Sequence, residues 1–410
     1  MGVYNWDFSY RSFKHGEKIK KRWCLSMSDK PNKKESIWNK DIKELFKKKK
    51  KKEDEIKDKE NINKEEDDKK NKKKKKVKEK LRLAVDIGED SIHVLVGTKH
   101  KIVAYDELFL SEGVIENGDV SDIEEVKNEL ATYLKSLRRK PKDVCFVVHG
   151  DDIITRYIEL PILGEEALET AIKMEIKKSY PDKESLYYYS YQLVEEVGDD
   201  VAIKGKYMIV MAKKVKIDKF IDISEKLKLN IKCIDLSSNS LKRVLSILNK
   251  EENLNHVGAI NIQDTETTFC IMNNDMLQIE KRVHFGTANI RKALELSEDE
   301  LDIKLKNISV SNQEDYFSEQ VLALINTLTT VLNNVAKFYF GGRSENNLNK
   351  IYIVGKLNEI RGIEKYFAEY FESEVIKVEE LNSIVETKTP DDLDLIEYIN
   401  CYGLLIRELE

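Results

Sequence analysis

Residues 81–110 read LRLAVDIGEDSIHVLVGTKHKIVAYDELFL, a pattern of three short strands joined by two tight turns. In the first, Leu83, Val85 and Ile87 alternate with Ala84, Asp86 and Gly88, and apolar content on both faces predicts burial between layers. The polar turn Glu89-Asp90-Ser91 leads to a strand over 92–96, the turn Gly97-Thr98-Lys99 and a strand over 101–110. The same pattern returns at residues 257–285, VGAINIQDTETTFCIMNNDMLQIEKRVHF, and aligns without a gap. Asn261 then falls on Asp86, Ile262 on Ile87 and Gln263 on Gly88. Two copies of one unit far apart in a chain imply a duplicated α/β fold with two facing lobes, and the cleft between them is the natural site.

Between the copies, Ile123, Val126, Leu130, Tyr133, Leu134 and Leu137 mark one helix face, started by Ser121-Asp122 and closed before Pro141. Strands follow at 144–148 and 153–160, the latter ended by Pro161; then a helix over 165–178, the stop Tyr180-Pro181, strands at 186–194 and 206–212, and a helix at 217–227. This section, 151–227, reads as an inserted subdomain. The first lobe takes residues 81–150, 228–255 and 391–410, and the second 256–390. In the second lobe, Val321, Leu324, Ile325, Leu328, Leu332, Val335 and Phe338 predict a long helix over 315–340, stopped by Gly341-Gly342. A strand at 350–354 follows, and Thr389-Pro390-Asp391 predicts the start of the last helix.

Charge divides the chain. Residues 1–80 hold 29 Lys/Arg and 16 Asp/Glu, against 41 and 59 in the remainder, so the net −5 combines a tail of about +13 with a body of about −18. Residues 47–80 are Lys/Glu/Asp/Asn low complexity with too few apolar groups to offset ordering entropy, which predicts disorder or transient helix. Just before them, residues 36–47 put Ile37, Trp38, Ile42, Leu45 and Phe46 on roughly half of a helical wheel. Trp38, Ile42, Leu45 and Phe46 are candidates for docking to a partner or to an anionic membrane surface; a solvated arm is the alternative. Met27 opens a run that reads as an ordinary start, so either Met1 or Met27 is the expected initiator. Five scattered cysteines without a Cys-x-x-Cys pair fit a reducing cytoplasm, and six dispersed histidines give no support to a transition-metal site. No apolar run reaches the ~18 to 20 residues that span a bilayer, and nothing marks specific nucleic-acid recognition. The expected location is cytoplasmic.

RYIELP at 156–161, followed by EEALETAIKMEIKKSYP and the Tyr-rich 187–191, resembles the PilM family, actin-like cytoplasmic proteins of type IV pilus assembly. VDIGEDSIHV resembles the first phosphate loop of the actin, sugar kinase and chaperone ATPase superfamily, and YGLLIRE at 402–408 resembles the family's last helix. The resemblance covers about 330 residues, everything but the tail. It implies an actin-like (ribonuclease H-like) duplicated two-lobed fold with an inserted 1C-type subdomain. It also implies a groove for the cytoplasmic N-terminal peptide of a PilN-like inner-membrane protein, and a peripheral position at the inner face of the cell membrane.

The implied cofactors are ATP and Mg²⁺. In the first loop Asp86 can order Mg²⁺ through water, Gly88 permits close approach and Ser91 can donate to a phosphate oxygen. In the second, Asn261 and Gln263 stand where the family has Asp-x-Gly, which removes a carboxylate; a non-Gly residue at positive φ there would cost roughly 1 to 2 kcal/mol. Thr265, Thr267 and Thr268 remain as hydroxyl donors. Thr287 stands where a Gly-Gly turn would have its second glycine. At the adenosine loop, Gly355 is followed by Lys356 in place of a glycine, either blocking a base or neutralising phosphate, and Gly362 matches a later glycine. Weak or lost nucleotide binding, little ATP hydrolysis and a scaffold rather than an enzyme are expected. The alternatives are a functional actin-like ATPase or small-molecule kinase, which needs a general base and an intact second loop, and an FtsA-like membrane-tethering filament protein, for which the tail helix near Trp38 is the only candidate anchor.

Overall fold

The computed structural model describes residues 80–150, 152–181, 184–198, 203–249, 255–273, 276–310, 316–341, 347–379 and 381–408. The docking segment at 36–47 lies outside them. The chain begins with β1 (Arg82–Ile87), β2 (Ser91–Thr98) and β3 (Lys101–Phe109), a two-residue hairpin β4 (Ile115–Glu116) and β5 (Asp119–Val120), α1 (Ile123–Ser136) and β6 (Asp143–Val148). An inserted section holds β7 (Ile154–Pro161), α2 (Glu165–Ser179), β8 (Tyr187–Gly198) and β9 (Ile203–Lys213), and α3 (Lys214–Lys226) leads out of it. Then come β10 (Asn230–Leu236), α4 (Ser237–Leu248), β11 (Val257–Ile262), β12 (Thr267–Asn273) and β13 (Met276–Val283). The chain closes with α5 (Thr287–Leu294), α6 (Glu298–Leu305), α7 (Tyr316–Phe340), β14 (Lys350–Gly355), α8 (Ile363–Phe371), β15 (Glu374–Lys377), α9 (Leu381–Ile384) and α10 (Ile399–Leu405).

Two five-stranded sheets have one topology, β3-β2-β1-β6-β10 and β13-β12-β11-β14-β15. Each is an antiparallel meander extended by two parallel strands. The duplication extends to single residue pairs: Asp86↔His93 and Ile87↔Ile92 in the first sheet recur as Asn261↔Thr268 and Ile262↔Thr267 in the second. Because β1 and β6 are parallel, as are β11 and β14, all four end at the same edge of their sheets, where loops gather and ligands bind in such folds.

Both sheets lie in one compact unit, Leu81–Asp151 with Lys219–Arg407, and residues Asp152–Asp218 belong to another. In the latter, the sheet β7-β9-β8 is covered by α2, whose Leu168, Ile172 and Ile176 are spaced to fall on one helical face and pack on Tyr189, Tyr207, Ile209 and Met211. In the second lobe, α7 is long and apolar enough by length and composition to cross a membrane. Its Val321, Ile325, Leu328 and Leu332 are nevertheless buried in that lobe's core beside Phe269 and Phe367, while Thr327 and Thr330 are exposed.

The periodicity finds most elements but misplaces the last helix. Residues 389–398 are turns, because Asn382 takes up the backbone there: its amide donates to the Leu393 carbonyl (2.6 Å) and its Oδ1 accepts from Leu395 N (3.0 Å), while Asp394 accepts from Ile396 N (2.9 Å). Side chains that pair so locally compete with helix. The helices α4, α8 and α9 are additions to the predicted set.

α10 lies across α4 at a point with no room for a side chain: a Cβ on Gly403 would come within 2.4 Å of the Ser240 carbonyl oxygen. Beside this crossing, buried Asp235 accepts from Asn239 (2.9 Å), from Leu236 N (2.9 Å), from Arg407 (2.8 Å) and from Arg243. Arg243 also donates to the carbonyls of Asn239 (2.9 Å) and Gly403 (3.0 Å), and Arg82 on β1 donates to those of Arg407 (2.9 Å) and Leu405. The C-terminal helix is thus fixed to the first lobe by charge as well as packing.

Burial alone would raise the Asp235 pKa, but Arg243 and Arg407 lower it to about 2. A depressed carboxylate contributes stability above its unfolded pKa near 4, and loses it as pH falls toward the folded value. Asp235→Asn should therefore cost about 3 to 5 kcal/mol at neutral pH by leaving buried arginines uncompensated. In denaturant titrations the gap from wild type should narrow as pH drops below about 4; a gap constant with pH would contradict this.

Candidate functional site

At the shared strand edge lies a cavity of ≈ 1070 Å³. It brings together Asp86, Gly88 and Ser91 of the first loop, Asn261, Gln263 and Thr265 of the second, and Gly355 with Lys356 after β14. Thr267 does not line it; its hydroxyl donates to the Phe285 carbonyl at 2.6 Å.

The two loops are one turn used twice. Gly88 N donates to Ser91 O at 2.9 Å, and Gln263 N donates to Glu266 O at 3.0 Å. Neither Gly88 nor Gln263 has positive φ, so the strain considered for Gln263 does not arise: the turn closes in ordinary backbone geometry. Glycine is demanded instead at Gly355, where φ is +103° and a Cβ would lie 2.0 Å from the Ile262 carbonyl oxygen across the β11–β14 pairing.

Several groups that could meet a phosphate are already engaged within the protein. Ser91 Oγ donates to Glu107 Oε1 at 2.7 Å. Asp264 accepts from Thr287 Oγ1 (2.6 Å) and from both terminal nitrogens of Arg291 (2.8 and 2.9 Å), and its carbonyl accepts from Ala288 N (2.9 Å). These bonds cap the start of α5 with the chain's own acceptors.

The centre of the site is a residue the sequence reading passed over. His149, directly after β6, places Nε2 2.5 Å from Asp86 Oδ1 and Nδ1 3.2 Å from Glu266 Oε1. It thereby joins the first-lobe loop to the second. Asn400 at the start of α10 donates to the other Asp86 oxygen at 2.8 Å, and Arg282 on β13 donates to the Gly150 carbonyl at 2.7 Å. Burial works against a charged imidazole, but Asp86 and then Glu266 outweigh it and push the His149 pKa up to about 10. Burial likewise opposes ionisation of Asp86 and Glu266, and the facing His149 more than reverses this in both, leaving them below the usual carboxylate range. Nearby Glu280 goes the other way: burial raises it, although Ser238 Oγ donates to it at 2.8 Å.

This donor set does not fit the Mg²⁺ that the sequence resemblance implies. Both oxygens of Asp86 are engaged by nitrogen donors, and the second loop offers the amide of Asn261 at the matching position. Among the described residues no group of three or more His, Cys, Asp or Glu is placed to hold a metal ion.

Two signals for the missed residues were present in the chain. His149 directly follows the strand that pairs in parallel with β1, two residues after Val147, the register partner of Asp86. Glu266 occupies in the second repeat the place of Ser91 in the first, one residue before the Ile92 and Thr267 pair positions.

A profile of the family described as "Type IV pilus assembly protein PilM" matches residues 84–405. Among solved structures, one titled "PilM-PilN type IV pilus biogenesis complex" aligns at TM-score 0.67 and 14% identity over 80% of this chain and 98% of that one. The ethanolamine utilization protein EutJ from Carboxydothermus hydrogenoformans aligns at TM-score 0.44 and 11% identity, covering 81% and 91%. MreB5 of Spiroplasma citri bound to AMPPNP aligns at 0.46 and 10% identity, covering 75% and 95%. A search of curated protein sequences finds no match.

His149→Ala should lower stability by about 3 to 5 kcal/mol, since it leaves two buried carboxylates facing each other. Adding Glu266→Gln should recover part of the loss, giving a coupling of about 1 kcal/mol or more in a double-mutant cycle of denaturant unfolding. Additive effects would show that the two side chains do not interact.

Proposed function

Because the chain belongs to the PilM family of type IV pilus assembly proteins and has that family's actin-like α/β fold, we propose that it is a scaffold that docks the cytoplasmic N-terminal peptide of a PilN-like inner-membrane protein. The family match across 84–405 carries this reading. It is supported by the alignment over nearly the whole of a chain from a structure titled as a PilM–PilN complex. The inserted unit supplies suitable chemistry. β7, which contains Arg156 and ends at Pro161, is an edge strand, and Ile162, Met174, Leu186 and Ile203 in the same unit are exposed. An extended apolar peptide gains from such an edge through backbone pairing and side-chain burial.

In this reading the protein works in the cytoplasm at the inner face of the membrane, held there by its partner, with the Lys-rich tail and the segment around Trp38 available to anionic lipid. Nucleotide affinity is weak and turnover negligible. The support for docking over nucleotide turnover is local: the second loop presents the Glu266 carboxylate where the first presents a hydroxyl, and an anion at that place repels phosphate.

Calorimetry of the full chain with a synthetic N-terminal peptide of a PilN-like protein should show one-to-one binding. Met174→Asp and Ile162→Asp should weaken it about tenfold or more, because each places a charge in an apolar contact. Absence of binding by folded protein would overturn the partner assignment.

A further inference from the structure

We propose that the imidazolium of His149 occupies the place a divalent cation would take in a phosphate-binding cleft of this fold, so that the two lobes are joined across the cleft by an internal cation that needs neither metal nor nucleotide. The geometry requires a cation there. Each ring nitrogen faces a carboxylate oxygen, Asp86 Oδ1 at 2.5 Å and Glu266 Oε1 at 3.2 Å, and a carboxylate only accepts. With both acids ionised, as the facing imidazole keeps them, both nitrogens must carry protons, and no neutral tautomer satisfies both contacts.

The surroundings are built for this ion. Asn400 fixes the remaining oxygen of Asp86 at 2.8 Å, so the carboxylate cannot turn toward a metal without losing a buried hydrogen bond. Arg282 fixes the backbone beside the histidine by donating to the Gly150 carbonyl at 2.7 Å. The repeat shows what changed: the position that is Ser91 in the first loop, compatible with a phosphate, is Glu266 in the second, and that carboxylate completes a site for a cation supplied by the protein. The cavity wall carries twelve Asp and Glu against four Lys and Arg. A polyphosphate entering it would meet repulsion that a bound divalent ion would ordinarily relieve, and the single charge of His149 relieves less. The cross-cleft contact is independent of peptide docking, so either can fail its test while the other stands.

The test uses the full chain, stripped with EDTA and titrated with Mn²⁺ by calorimetry and electron paramagnetic resonance. His149→Ala should bind one Mn²⁺ more than wild type, held between the freed carboxylates of Asp86 and Glu266, and its melting temperature should rise with Mn²⁺ by several degrees more than that of wild type. Equal stoichiometry in the two proteins overturns the proposal. Should the variant not fold, wild type labelled with [15N]histidine decides. His149 should show two protonated ring nitrogens at neutral pH, unmoved by Mg²⁺ with ATP; a neutral ring, or one released from its partners by Mg²⁺, overturns the proposal.

Discussion

A carboxylate buried at the end of a central strand must be neutralised, and the cleft is arranged around how Asp86 meets that demand. Its position is set by β1, which is packed on both sides and paired with β2 and β6. The strand cannot withdraw it to solvent. Leaving it unpaired would cost several kcal/mol, so some cation must come to it. Of the two neighbouring strands, β2 sets His93 opposite it and β6 leads to His149, the first residue past its end, whose Nε2 is the nitrogen that reaches Oδ1, at 2.5 Å. Once the imidazolium is in place, its second nitrogen faces the other lobe, where Glu266 accepts. The same charge that makes the first lobe tolerable also ties it to the second.

The duplicated meanders show how such a cleft can diverge while its frame persists. Registers between β1 and β2 and between β11 and β12 correspond pair by pair, and both loops close with the same backbone hydrogen bond. The side chains differ where they face the cleft. In the first copy the hydroxyl of Ser91 meets Glu107; in the second the corresponding positions hold Glu266, just before β12, and Arg282 on β13, so the acid stands in the loop and a base takes its former place on the strand. Frame residues are constrained by close packing on two faces, whereas cleft residues answer to charge balance alone.

This distinction also explains what could be read from the chain beforehand. The alternation of Leu83, Val85 and Ile87 and its return at Ile260 and Ile262 report burial, which is a local property of a strand, and so the two lobes and the cavity-lining residues of both loops were legible. Thr267 was misread because its hydroxyl is turned to the Phe285 carbonyl, a matter of which side of β12 it occupies. The expected strain at Gln263 was absent because the turn keeps negative φ at both copies. His149 was overlooked because its role comes from two partners at separations of 63 and 117 residues along the chain, and no periodicity encodes such a meeting. The start of the last helix was mistaken because a cap signal at Thr389-Pro390-Asp391 competes with Asn382, which lies outside any local window.

A cleft stabilised from within changes what the fold can be used for. Where a bound ligand contributes part of the attraction between two lobes, its loss lets them part; binding and opening are then linked. Here the attraction is supplied by side chains of the chain itself, Asp86, His149 and Glu266 across the cleft and Arg282 on the Gly150 carbonyl. A ligand that must first displace a buried, doubly paired imidazolium has little differential affinity left with which to move the lobes. Such a frame is poorly suited to a cycle of opening and closing.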